Sequence, residues 1–443
     1  MTGTAAVIGG SVAGLLAARA LSQRFERVLV YERDELSSEP RPRKGVPQAR
    51  HAHVLLAAGA KALRGLLPGL FDDVAAHGGF SFDMGQDNNW FHFGSWKRRF
   101  ACGVEVNVQS RDLLECVVRR QVLRAANVEL CRASVVGVDW ESGKPCVEAD
   151  GRRDEFEFLV DASGRASRLP DWLEKAGFQR PREDSVRVDV TYTTACFRPT
   201  RERDFRALLI YPNPPGERRA GAILPIEGGS VLAGVFGWCG ERAEPNDASV
   251  MAYARSLPQP EVSEFLEHAE RISDFSSYHF REARLRHYEE LAQFPACTVV
   301  LGDALCSVDP VFGQGMTVAA LSAQILEACA NDASLDCAAL ADAFRGRVSD
   351  AWKTAWLLST GEDFRYAEVT GTRPLGTALS HWYTRHVQKL TAFDDDVYRR
   401  FARVMHLLDS PAALFHPSVL GKVMLAAAMP ERSVLRRPRD GAR

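Results

Sequence analysis

The stretch that most constrains this chain is its opening, Ala5-Ala6-Val7-Ile8-Gly9-Gly10-Ser11-Val12-Ala13-Gly14-Leu15-Leu16-Ala17-Ala18-Arg19-Ala20-Leu21. A short apolar run enters a glycine turn, and small and aliphatic residues then continue at helical spacing. A second apolar run, Val28-Leu29-Val30-Tyr31, ends in the acid Glu32. Strand, turn, helix, strand and acid in this order predict a dinucleotide-binding βαβ unit. Gly9 permits the tight turn, and Gly14 lets the helix pack closely on the strand. The helix N-terminus, with Val12 and Ala13 in its first turn, offers backbone N–H groups to a pyrophosphate. Glu32 stands where an acid accepts hydrogen bonds from a ribose. One position departs from G-x-G-x-x-G: Ser11 replaces the second glycine.

At 443 residues the chain exceeds a single typical core, so more than one domain is expected. A net charge of −2 with 25% charged residues gives no basic excess and argues against nucleic acid as a partner. No apolar run is long enough to span a bilayer, and the N-terminus lacks the basic start of a signal peptide. The 10 cysteines include no C-x-x-C pair and no zinc spacing, which predicts a reduced, cytoplasmic setting and no metal. The arginine-rich segment 432–443 reads as a frayed end.

Along the chain, Pro40, Pro42 and Pro47 break a loop carrying Arg41, Arg43, Lys44, Gln48, Arg50, His51 and His53, a composition suited to an anion or to plain solvation. Residues 52–67 have a helical pattern. The aromatic stretch Phe80 to Phe100 reads as strand, with Trp90, His92, Gly94 and Trp96 on one face and Phe91 and Phe93 on the other. A helix follows Ser110, then strands at 128–131, 134–140, 145–149 and 155–160, the last running into Asp161-Ala162-Ser163-Gly164-Arg165. Residues 186–197, 206–211, 219–225 and 230–238 read as an antiparallel sheet, with helices at 248–256 and 261–267 and a returning strand at 278–286. A second strand–turn–helix follows: Cys297 to Leu301, then Gly302-Asp303, Asp309-Pro310 and Gly313-Gln314-Gly315-Met316, then a helix over 317–330. From residue 338 onward the pattern is helical.

Three separated pieces therefore agree: the opening turn with Glu32-Arg33, the Asp161 turn, and Gly302-Asp303…Pro310…Gly313-Gln314-Gly315. In this order the chain resembles the FAD-dependent monooxygenases of the p-hydroxybenzoate hydroxylase type. Within that group, Arg43-Lys44-Gly45-Val46-Pro47-Gln48-Ala49-Arg50-His51 and Gly302-Asp303-Ala304-Leu305-Cys306-Ser307 look most like squalene-epoxidase-like enzymes, among them epoxidases of polyketide polyenes. The resemblance covers about residues 1–330. It implies an α/β architecture: a discontinuous Rossmann-like FAD-binding domain (1–79, 110–184 and 286–340), aromatic strands at the substrate interface (80–109) and an antiparallel β-sheet substrate domain (185–285), while the helical pattern alone makes 341–443 a C-terminal helical region outside the resemblance.

Carried over by motif, Gly9, Ser11, Gly14, Glu32 and Arg33 would hold the ADP half of FAD and Arg111 would reach its pyrophosphate or ribityl region, with Val12, Ala13, Arg43, Gln48 and Val135 as further cofactor-binding residues and Asp161 marking the turn between the two cofactor contacts. Asp303 would bind the ribityl–pyrophosphate region, and Pro310, Gly313, Gln314, Gly315 and Met316 would border the isoalloxazine. Cys306 stands where many aromatic hydroxylases of the group carry histidine.

The resemblance implies insertion of one oxygen atom from O2 into a hydrophobic, natural-product-like substrate through a flavin C4a-hydroperoxide, with epoxidation of an alkene or polyene foremost. Aromatic hydroxylation, flavin-dependent reduction of isoprenoid double bonds and a non-redox binding role are the rivals. The W-x-W-x-I-P motif of flavin halogenases is missing. Because the cofactor carries the chemistry, no side-chain nucleophile or base is expected. A phenolic substrate would need a base, for which Tyr192, Tyr211 and His92 are the available groups. Trp90, Phe93, Trp96, Tyr211 and Phe236 are expected to wall an apolar pocket. No second dinucleotide fingerprint exists for NAD(P)H, which would donate electrons directly or through a separate flavin reductase.

Overall fold

The computed structural model describes residues 3–428, so the basic segment 432–443 lies outside the described residues. Its organising layer is a five-stranded sheet with the order Thr298–Val300, Phe158–Asp161, Thr4–Ile8, Arg27–Glu32 and Val128–Arg132. Every pairing is parallel. Near-continuous apolar runs suit such a sheet, because packed layers leave no side of the strand in water; helices supply part of that cover, and Val138, Val147 and Ala149 of the three-stranded sheet Val135–Asp139, Cys146–Ala149 and Arg152–Glu155 join the same core. The covering helices include Val12–Leu21, Arg111–Val122 and Gly315–Ala330, the first packed against both others.

Register explains how distant turns meet. Ile8 pairs with Asp161, and Asp161 pairs with Val300, on adjacent strands. The glycine turn after Ile8, the Asp161 turn and the Gly302-Asp303 turn therefore leave the same edge of the sheet side by side. That edge, at the carboxyl ends of the strands, is where open α/β sheets bind ligands.

The second layer is a nine-stranded sheet running Cys306–Ser307, Ser276–His287, Arg182–Arg198, Val231–Gly237, Arg219–Pro225, Ala207–Ile210, Asn88–His92 and Ser95–Trp96, with Glu270–Arg271 pairing Arg182–Arg198 to one side. It is antiparallel except where Asn88–His92 lies parallel to Ala207–Ile210. The expected returning strand is its second member, and Cys306–Ser307 ties its end to the Gly302 turn. The helices Thr377–Leu390, Asp395–Met405 and Pro417–Ala427 supply Tyr383, Val387, Tyr398, Phe401, Val419 and Val423 to a core shared with Phe82, Trp90 and Val104. They cover the aromatic strands.

Several local readings change. The 80–100 stretch is not one strand: Phe80–Asp83 pairs with Glu105–Val108, and the Met84–Asp87 turn of helix is capped by Asp83, which accepts from the Gly85 and Gln86 N–H groups. Asn88–His92 and Ser95–Trp96 then form a hairpin around Phe93 (φ 53°) and Gly94 (φ 76°). Positive φ at both central residues is the turn that matches strand twist. The reversal pairs Phe91 with Trp96, ring centroids 5.5 Å apart, and puts Trp96 on the Phe91 side rather than the Trp90 side. The 155–160 strand is two, Arg152–Glu155 and Phe158–Asp161, in different sheets. The 52–67 helix begins only at Ala57, because Leu55 makes a bridge to Asn107.

Candidate functional site: a cavity where three turns meet

The three turns border one cavity of about 610 Å³. Gly9, Ser11, Val12, Ala13, Glu32, Arg33, Arg43, Gln48, Arg111, Val135, Asp303, Pro310, Gly313, Gln314, Gly315 and Met316 all line it. Gly14 and Asp161, expected among them, do not. Gly14 works from behind: a Cβ there would sit 1.8 Å from the Gly9 carbonyl oxygen, so only hydrogen lets the helix seat on the turn. Gly9 itself has φ +105°, and its Cβ would meet the Ala162 carbonyl oxygen at 2.4 Å. Asp161 is fully buried and shapes its own turn, accepting at Oδ1 from the Ser163 N–H (3.0 Å) and hydroxyl (2.6 Å) and at Oδ2 from the Ser167 hydroxyl.

A buried ionic network under the first turn accounts for Ser11. The Ser11 hydroxyl donates to Glu115 Oε2 at 2.9 Å and accepts from Arg111 Nη2 at 2.9 Å, while Arg111 and Glu115 also pair at 2.8 Å. Arg43 Nε donates to Glu115 Oε1 at 2.7 Å, and its Nη1 reaches Asp34 at 2.9 Å and Glu32 at 3.2 Å. Glu32 also accepts from the Gly10 N–H at 2.9 Å and the Asp34 N–H at 2.9 Å. Ser11 thus replaces a glycine with a hydroxyl that orients Arg111 toward the cavity. Burial alone would raise the Glu115 carboxyl, but Arg111 and Arg43 outweigh it and hold it down at about 2. Glu115 is a candidate site residue, set behind the cavity lining, that sequence reasoning missed. Its only local signal was the four-residue spacing from Arg111, which places both on one helix face.

Anion-binding capacity comes also from two helices. Val12–Leu21 and Gly315–Ala330 both begin at the cavity, have no acidic residue in the first turn and no side-chain cap, which leaves their first N–H groups free. Ser110, Asn246, Asp336 and Asp394 cap four other helices, while Ala57–Leu66 and Thr377–Leu390 also begin without cap or acid but outside the cavity lining. Gln314 is fully buried on the cavity wall, yet neither its amide oxygen nor its nitrogen has a protein partner. A buried amide with both ends unmet calls for a polar ligand with donors and acceptors together, such as a pyrimidine edge. Burial raises the Asp303 carboxyl, while Arg165 and Arg111 pull it back. Arg165 is itself held over the Phe280 ring at 4.4 Å, donating to the Glu282 carbonyl oxygen at 2.8 Å.

The aromatic candidates divide. Tyr192 lines the cavity; Trp90, His92, Phe93, Trp96, Tyr211 and Phe236 do not. Phe236 stacks on Tyr192 with centroids 5.6 Å apart, and Tyr211 meets Phe236 edge-on at 5.5 Å. These rings form a layer behind the wall rather than the wall. Trp96 belongs to the core on the other side of the sheet, with Phe91, Leu208 and Ile223. His92 lies against Phe93 and Tyr211, and burial first, then Lys97 and Arg365, lower its proton affinity well below the ordinary imidazole range.

His51 and His53 line the cavity instead. His53 Nδ1 donates to the His51 carbonyl oxygen at 2.9 Å, and His51 Nδ1 lies 3.1 Å from Thr194 Oγ1. Burial lowers both to about 4, and does the same to His406, whose Nδ1 accepts from the Ala57 N–H at 3.1 Å. Folded pKa values below the unfolded value of about 6.5 give stability that is complete above pH 6.5 and lost as pH falls toward 4. The lead of ligand-free wild type over His406→Gln in urea midpoint is expected to shrink between about pH 7 and about pH 4. That comparison cancels the Asp112 and Asp309 carboxyls, which burial raises to about 6 and which titrate in the same window with the opposite sign. A lead that stays constant over that window would show His406 to be charged in the fold.

Sheet order, the three turns and the uncapped helices define an architecture: this is the fold of the FAD-dependent monooxygenases of the p-hydroxybenzoate hydroxylase type. Solved structures with the same fold include the flavin-dependent brominase Bmp2 (17% identity, TM-score 0.64, covering 92% of this chain and 94% of that one). They also include P. aeruginosa PqsL in complex with 2-aminobenzoylacetate (19%, 0.61, 91% and 99%) and p-nitrophenol 4-monooxygenase PnpA from Pseudomonas putida DLL-E4 (17%, 0.61, 92% and 99%). No family model matches the sequence. The chain belongs to the family of Protein Rv3254 of Mycobacterium tuberculosis (strain ATCC 25618 / H37Rv), with which it is 34% identical over 340 residues, 72% of this chain and 71% of that protein. Among the described residues no helix is long and apolar enough to cross a membrane, and all 10 cysteines are free thiols.

Proposed function

We propose that the chain is an FAD-dependent monooxygenase acting on a hydrophobic, natural-product-like substrate, with epoxidation of an alkene or polyene as the leading reaction. The single observation that carries this reading is the convergence of three turns, separated by some 300 residues of sequence, on one cavity with an unmet buried amide at Gln314. Glu32 and the first glycine turn would take the adenosine, Arg111 and the two free helix ends the pyrophosphate, Asp303 the ribityl chain, and Gln314 with the Gly315 and Met316 N–H groups the isoalloxazine edge. Bound FAD, reduced by NAD(P)H directly or through a separate reductase, supplies the activation of O2. The chain's own work is to orient, to exclude water and to manage protons. The Val231–Gly237 and Arg182–Arg198 strands, with Tyr192 at the cavity, would bring the substrate to the flavin.

One observation favours a second reading, aromatic hydroxylation: Tyr192 meets the cavity and donates to Asp309 Oδ1 at 3.1 Å, an arrangement able to accept a phenolic proton. The discriminating experiment titrates FAD-loaded protein with NADPH under air, with polyenes in one series and hydroxylated aromatics in another. Substrate-stimulated O2 consumption with an epoxide product is expected. Flavin reduction with a saturated product and no oxygen transfer would make it a reductase, and failure to take up FAD would leave only a binding role.

A further inference from the structure

Two carboxyl groups behind the Pro310 end of the cavity have no ion-pair partner among the described residues. Asp309 and Asp363 are both fully buried, their side chains face each other, and Trp238 lies beside both. Asp309 Oδ1 accepts from the Val311 N–H at 3.0 Å and from the Tyr192 hydroxyl at 3.1 Å. Its backbone N–H donates to Ser359 Oγ at 3.3 Å, one helical turn before Asp363 on Ser349–Asp363. Among the described residues, Asp309 Oδ2 and both Asp363 oxygens have no donor in full hydrogen-bonding geometry, and the Trp238 indole N–H approaches both acids. The nearby Arg365 guanidinium is committed to Glu362, at 2.7 and 2.9 Å.

Two ionised carboxylates in contact and out of water repel each other too strongly to persist, and one proton between them removes the conflict. It also satisfies the orphaned oxygens. Titratable groups that feel the pair include Tyr192, Tyr211 and Tyr278 from the large sheet, Cys239 and Tyr366, and Glu362 on the helix of Asp363, and the His51 ring, kept neutral by burial, faces Tyr192 with centroids 6.0 Å apart. None of them brings positive charge. Burial, and for Asp363 the Asp309 carboxyl, raises both acids above the ordinary carboxylate range. Pro310 follows Asp309 directly, and Gln314, with its unmet amide, lines the same cavity as Tyr192.

We propose that Asp309 and Asp363 hold one proton in common and that Tyr192 couples this pair to a hydroxyl-bearing ligand at the Pro310–Gln314 end of the cavity. The ligand O–H gives its proton to the Tyr192 oxygen as Tyr192 passes its own to Asp309 Oδ1. The pair goes from one proton to two and the ligand becomes an oxyanion; the reverse transfer restores both. Only protons move. Asp309 and Asp363 are positioning residues that act through Tyr192. The inference rests on the cavity being the ligand site and is independent of whether the product is an epoxide or a phenol.

Infrared spectroscopy of the full chain, with and without FAD, tests this through the carbonyl stretch of a protonated carboxylic acid. Wild-type protein at neutral pH is expected to show that band, and Asp363→Asn to lose it, since Asp309 alone keeps two donors and ionises normally. Should Asp363→Asn fail to fold, Asp309→Asn is expected to shift the band's frequency by removing its partner. On acidification the second proton joins, and Tyr192→Phe, which keeps the stack on Phe236, is expected to move that midpoint upward by about one pH unit. Absence of the band in wild type, its persistence unchanged in the Asp variants, or an unmoved midpoint in Tyr192→Phe would overturn the proposal. A protein that keeps the band but takes up no FAD separates failure of the cofactor reading from failure of this one.

Discussion

Alanine at Gly14 is expected to destabilise the protein by about 3 kcal/mol and to abolish tight binding at the first turn. The new methyl would sit 1.8 Å from the Gly9 carbonyl oxygen and 2.9 Å from its carbon, both backbone atoms that no side-chain rotation can clear. Relief requires lifting Val12–Leu21 off the sheet, where Leu15, Leu16, Ala18 and Leu21 are fully buried against it and its neighbouring helices. The same movement displaces the free N–H groups that face the cavity. Chemical denaturation of Gly14→Ala beside wild type checks the first part, and flavin binding the second. Wild-type stability in the variant would mean that helix and turn are not packed as described.

The second large effect is expected at Glu115. Removing this carboxylate by Glu115→Ala leaves Arg43 and Arg111 buried with their charges only partly met, a loss on the order of 3–5 kcal/mol. Glu115→Gln keeps acceptors for Ser11 and Arg111 and should cost less. An anionic pyrophosphate in the cavity would restore charge balance beside Arg111, so FAD should recover part of the loss, more in Glu115→Ala than in wild type. Thermal unfolding with and without FAD measures this. Equal FAD stabilisation of both proteins would mean that Arg111 does not meet the phosphate.

Much of this candidate site is legible in the sequence, and the reasons are local. Apolar runs at 4–8 and 298–300 end in glycine turns, and those signals survive because a parallel strand buried on both sides admits few polar residues. Their meeting could be inferred only as a requirement of one ligand spanning both; the register Ile8–Asp161–Val300 supplies the cause. The Phe93-Gly94 reversal was not legible. Hairpin turns of this kind ordinarily announce themselves with Asn-Gly or Asp-Gly, and a phenylalanine at φ 53° gives no such signal. Missing it turned Trp96 to the wrong face. Glu115 and Arg43 lie 72 positions apart, and Asp309 and Asp363 are brought together by a helix whose packing face the sequence does not mark, so both pairs emerge only from tertiary structure. The role of Ser11 follows the same rule: beside the turn it reads as a tolerated departure, and beside Arg111 and Glu115 it is a hydrogen-bonded link.

The central claim is that turns at opposite ends of the sequence grip a single FAD. Equilibrium titration of the protein with FAD, followed by the quenching of flavin fluorescence, tests it most directly when Glu32→Ala and Asp303→Ala are titrated beside wild type. One FAD per chain is expected, with affinity lowered by about tenfold or more in each variant, since the two residues reach different parts of one molecule. Stoichiometric binding that Asp303→Ala leaves untouched, or no binding by wild type at all, would contradict it.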